Sequence, residues 1–163
     1  MPRKEGQKRK LLVLLDILAR ETDEKHPLSV PQLVERLQER GVVAERKSVY
    51  DDLNTLNNMP DSPYEIVQQR GRGGGYWMAS RAFELSELKL LVDAVESSRF
   101  ITAKKSERLI EKLGKLTSES HARQLDRHIY MDGTAKPENE CIYYSVDEIH
   151  NAIQEKRQIL SLI

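Results

Sequence analysis

Four of the chain's eight glycines fall within six residues, Arg70-Gly71-Arg72-Gly73-Gly74-Gly75. Glycine accepts the positive φ angles of a tight reversal at no steric cost. Short β-prone runs flank the stretch, residues 64–69 before it and 76–79 after it, which predicts a β-hairpin. Glycine-rich loops also cradle phosphates in nucleotide enzymes. Those loops follow a strand and open a helix, with a Lys-Ser/Thr pair in the P-loop case. Strands on both sides argue against that reading and leave Arg70 and Arg72 at a hairpin tip.

Everything before the hairpin has helical spacing. Leu11, Leu14, Leu15 and Leu18 repeat at i, i+3, i+4 and i+7, with Val13 and Ile17 widening the stripe, so a first helix is expected over about residues 8–21. Ser29 and Gln32 fit a capping box, and Pro31 sits in the first turn, where its missing N–H costs nothing. Leu28 and Leu33 fit a hydrophobic staple, and Gly41 fits the end of this second helix. A third helix, residues 46–57, offers a narrow apolar stripe of Val49, Leu53 and Leu56. Its opposite face carries Arg46, Lys47, Tyr50, Asp51 and Asn54. Helix, helix, turn, helix, hairpin is the order of a winged helix-turn-helix.

The second half is helical again, so the expected class is mainly α (α+β). Leu88, Leu91, Val92 and Val95 form one stripe, with Ser86 as its cap; Leu109, Ile110, Leu113 and Leu116 form the next, behind Thr102. Ala122, Leu125 and Ile129 form a third. Gly133 and Pro137 mark a linker, and Ser145 with Glu148 reads as a capping box opening a helix to about residue 157. A strand is expected over 158–163. The organisation is therefore a DNA-binding unit over 1–80, a helical connector and dimerisation region over 81–130, a linker over 131–144, and a last helix and strand over 145–163.

A recognition helix must bury one stripe and leave its outer face free for the major groove. Arg and Lys early in such a helix reach phosphates or guanine edges, and Asn pairs with adenine. Arg46, Lys47, Tyr50 and Asn54 are so placed, and Arg70 and Arg72 would meet the flanking backbone or minor groove. The net charge is zero, with 26 basic and 26 acidic residues, but five of the first ten residues are basic; distribution matters more than the sum. Enzyme signals are weak. Asp51 and Asp52 are adjacent on a helix and point about 100° apart. His121 and His128 stand two turns apart, too far to share a metal, and all four histidines read as surface residues. Cys141 has no local base, and as the single cysteine it rules out an intrachain disulfide. Tyr76 and Trp77 read as packing between hairpin and core. No catalytic residue, cofactor or metal is expected.

The N-terminal ten residues are basic and followed by an apolar run, which superficially mimics a signal peptide. Asp16 interrupts that run, and Arg20, Glu21 and Asp23 stand where small cleavage-site residues belong. No apolar run approaches the roughly 20 residues of a membrane span, so a cytoplasmic location is expected.

Arg46-Lys47-Ser48-Val49-Tyr50-Asp51-Asp52-Leu53, with Leu56 after it and Gly74-Gly75-Tyr76 some twenty residues on, resembles the DNA-binding part of bacterial WYL-domain transcriptional regulators. In that family a Thr/Ser-Val/Ile-Tyr-Arg-Asp-Ile/Leu signature marks the recognition helix and Gly-Gly-Tyr marks the wing. The resemblance extends over residues 83–129, similar to the family's helical connector, and 145–159, similar to the helix leading into the WYL domain. It implies a DNA-binding transcription regulator acting as a homodimer on double-stranded DNA, with Arg46, Lys47, Ser48, Tyr50, Asn54, Arg70 and Arg72 as contacts. Asp51 departs from the family's usual Arg, so a phosphate contact is lost or altered. The chain stops where the first strand of the WYL domain would begin. An effector, small molecule or nucleic acid, is implied only where a complete WYL domain exists. The alternative is a winged-helix module that binds protein instead, because Glu45, Asp51 and Asp52 weaken the positive field around the third helix.

Overall fold

The computed structural model describes residues 6–126, 136–138 and 141–158. Among them are seven helices and one two-stranded antiparallel sheet. Helix α1, Gln7–Glu21, buries Leu14, Ile17 and Leu18 along the stripe its spacing predicts. Helix α2, Val30–Glu39, starts at the Ser29 capping box, where the Ser29 N–H donates to Gln32 Oε1 at 2.8 Å. It ends at Arg40, after which Gly41 adopts φ +72°, the left-handed turn that stops a helix. Helix α3, Arg46–Asn58, buries Val49, Leu53 and Leu56.

Strands β1, Ile66–Gln69, and β2, Gly75–Met78, pair with Ile66 opposite Met78 and Gln69 opposite Gly75. The first is two residues shorter than expected, and the second is shifted back by one residue. Tyr64 and Glu65 lie outside β1, while Gly75 belongs to the strand rather than the turn. A Cβ at Gly75 would overlap the backbone of Leu28. That close approach lets Leu28 and Tyr76 exchange N–H···O bonds of 3.0 and 2.7 Å, so the chain entering α2 runs beside the hairpin. Ile66 and Met78 then close the core formed by the three helices.

Helices α4, Leu85–Ser97, α5, Ala103–Gly114, and α6, Glu119–Asp126, gather around a second core of Leu88, Val92, Ile110 and Leu125. Thr102 caps α5 as expected, accepting from the Lys105 N–H at 3.2 Å. Ser86 does not cap α4. Glu84 does, in a capping box with Glu87, because a carboxylate accepts the first-turn N–H groups as a hydroxyl would. Leu91 and Leu116 are exposed rather than buried, and Leu116 lies beyond the end of α5. Helix α7, Cys141–Gln154, begins four residues before Ser145, so 141–144 is helix and not linker. The Ser145 hydroxyl donates back to the Cys141 carbonyl at 3.1 Å, as a serine inside a helix does, so Ser145 and Glu148 form no cap. Ile129 and most of the 158–163 strand expectation lie outside the described residues; Gln158 has no regular structure.

A buried polar seam joins the two cores. Asp23 follows α1 and accepts a 2.7 Å bond from the Ser118 hydroxyl before α6. His26 Nδ1 lies 2.7 Å from its other oxygen, Oδ1, and His121 Nε2 stands 3.9 Å from Oδ2, the oxygen Ser118 bonds. His121 is therefore part of the seam and not a free surface residue. Arg81 donates to the carbonyls of Ala19 and Thr22, and the Thr22 hydroxyl accepts from the Met78 N–H at 3.2 Å. Half-buried Trp77 lines the open side of this seam with Arg81, Phe83 and His121. No helix among the described residues is long and apolar enough to cross a membrane.

Candidate nucleic-acid interface

The buried stripe of α3 fixes which way its other side chains point. Arg46, Lys47, Asp51 and Asn54 are exposed, and Tyr50 is 51% exposed. Positions 46, 50 and 54 repeat every four residues and share one outer face. Glu45 occupies the N-cap with no side-chain cap hydrogen bond, and the first turn holds no acid. The first N–H groups of α3 thus keep their donor capacity, beside two cations, which is the arrangement that attracts a phosphate at a helix start.

Three contacts hold this face in place. Lys10 is buried, and its ammonium reaches across from α1 to Asp52 at 2.8 Å and to the Ser48 hydroxyl. Asn57 Oδ1 accepts from the Ile66 N–H at 3.0 Å, tying the end of α3 to the start of β1. Tyr50 meets Tyr76 edge to face, 6.3 Å between ring centroids at 74°. Burial and the neighbouring Tyr50 push the Tyr76 phenol up from its ordinary value. Arg70 and Arg72, in the turn of this hairpin, are both exposed. Gly71 and Gly73 take φ +112° and +81°, and no atom crowds either position.

Of the sequence-predicted contacts, Arg46, Lys47, Tyr50 and Asn54 share the exposed side of α3, and Arg70 and Arg72 share the hairpin tip. Asn54 is partly engaged within the helix, its Oδ1 accepting from Asn58 Nδ2 at 2.6 Å. Ser48 points inward to Lys10. Asp52 also turns inward, so it does not weaken the outer field; Glu45 and Asp51 remain on the surface. The sequence reading missed Lys10 as a support for α3. Its partner lies 42 positions away, and the only local trace is a lysine one turn before Leu14 on the buried side of α1. It also missed Arg9, which donates to the Arg40 carbonyl at 3.1 Å and braces the end of α2. Comparison with family models, curated proteins and solved structures finds no match to this chain.

Proposed function

We propose that residues 1–80 form a winged helix-turn-helix and that the protein is a DNA-binding transcription regulator of the bacterial WYL-domain type, acting in the cytoplasm. Helix α3 enters the major groove, and the β1–β2 turn lies on the flanking backbone or minor groove. The observation that carries this reading is the grouping of Arg46, Lys47, Tyr50 and Asn54 on the outer face of an uncapped helix, with Tyr50 packed on Tyr76 of a hairpin whose turn bears exposed Arg70 and Arg72. Two such units in a homodimer would read two half-sites, since one module of this size makes few base contacts.

The test is fluorescence anisotropy on a mixed-sequence duplex as salt rises. Binding that neutralises phosphates weakens linearly in log salt, by about one unit of slope per phosphate contact. Selection from a randomised duplex pool then reads the half-site. The exposed Asp51, in the middle of the outer face, favours the second reading, a protein-binding winged helix. No duplex binding at low salt would decide for it.

A further inference from the structure

Helix α7 and the α4–α5 pair each leave an apolar surface uncovered. Ile142, Val146, Ile149 and Ile153 repeat at steps of four, three and four, which places them on one side of α7. None of them is buried, and Ile149 and Ile153 are 43% and 68% exposed. Between α4 and α5 runs an open cleft of about 500 Å³, lined chiefly by Leu91, Val95, Ile101, Leu109 and Leu113, with Lys112 as its one charged wall residue.

We infer that α7 of one copy seats its isoleucine stripe in the α4–α5 cleft of a second copy, reciprocally, so that the chain is an arm-exchanged homodimer. Three observations select a second copy as the occupant. The segment before α7 is anchored at one end of its own chain's cleft, and the first turn of α7 lies on the start of α5. Lys136 Nζ donates to the carbonyls of Val95 and Ser98 and to the Ser106 hydroxyl, and the Tyr143 ring lies 4.5 Å from Lys105 Nζ. From there α7 contributes no residue to the wall of that cleft. Charge also matches: α7 carries Asp147 and Glu148 and no Lys or Arg, while α5 carries four Lys or Arg against two Glu. Finally, a 14-residue helix is about 21 Å long. Pairing two such helices through one stripe falls short of the roughly 800 Å² per partner of a stable interface. Exchange in both directions counts the helix-in-cleft contact twice.

This inference specifies the dimer of the proposed function but does not depend on DNA, so sedimentation of the full chain tests it alone. At tens of micromolar the wild-type chain sediments as a dimer. Ile153→Glu on the arm and Leu91→Glu on the cleft wall, both at exposed positions, each give a folded monomer by circular dichroism. Mixing the two variants restores a weaker dimer than the wild type, because one of the two arm-in-cleft contacts is intact. A monomeric wild-type chain overturns the inference, and so does a dimer that survives Leu91→Glu, which would move the contact to α7 against α7. A dimer that fails to retain DNA leaves the arm exchange standing and removes the DNA reading.

Discussion

Lys10 carries its charge into the protein rather than out to solvent. With Asp52 and Ser48 it locks the orientation of α3 against α1. Removing one partner of such a pair leaves an uncompensated charge. Asp52→Asn is therefore expected to lower stability by about 3 kcal/mol, read as a shift in denaturant midpoint, without removing any exposed cation. Arg46→Ala and Lys47→Ala should do the reverse. Both sit off the buried stripe, so melting is unchanged while duplex affinity falls and the salt slope drops by about one per lost phosphate contact. Arg70→Ala and Arg72→Ala should weaken all sequences alike. The exposure of Arg46, Tyr50 and Asn54 was legible because helix period alone separates 46, 50 and 54 from 49, 53 and 56. The inward turn of Ser48 and Asp52 was not, because it depends on where α1 lies.

Helix boundaries follow cap chemistry when the cap precedes the apolar stripe and mislead when it falls within it. Ser29 and Ser145 both have a Glu or Gln three residues on. Ser29 follows the extended Leu28 segment that bridges to Tyr76, so its backbone is held out of the helix. Ser145 has helix on both sides, and its hydroxyl bonds backwards instead. Ser29→Ala and Thr102→Ala are expected to cost about 1 kcal/mol each, whereas Ser145→Ala should cost nothing measurable by thermal melt. The hairpin was legible from its glycines, but its register was not. Gly75 is a strand residue paired with Gln69, and it is glycine because the Leu28 backbone leaves no room for a side chain. Gly75→Ala should accordingly destabilise by roughly 2 kcal/mol, more than an alanine at open Gly6.

Across the whole chain, the seam at Asp23 joins the two cores. Burial raises the Asp23 carboxyl, but bonds from Ser118, His26 and the Lys25 N–H outweigh it and hold the group below its ordinary value. A depressed folded value contributes stability above the unfolded carboxylate range and loses it as pH falls through the folded one. The wild type should thus lose melting temperature as pH falls below the ordinary aspartate value of 3.8, and Asp23→Asn should show a flatter acid limb. Nothing in the local pattern announced this seam, since Asp23 and Ser118 are 95 positions apart. Its existence bears on how the gene is best dissected. Composition and element order suggest a cut after Ser80 to isolate the hairpin-bearing part. Such a fragment would lack the Arg81 guanidinium over the Ala19 and Thr22 carbonyls and the Ser118 hydroxyl on Asp23. A cloning boundary one residue later keeps the first of these and costs nothing.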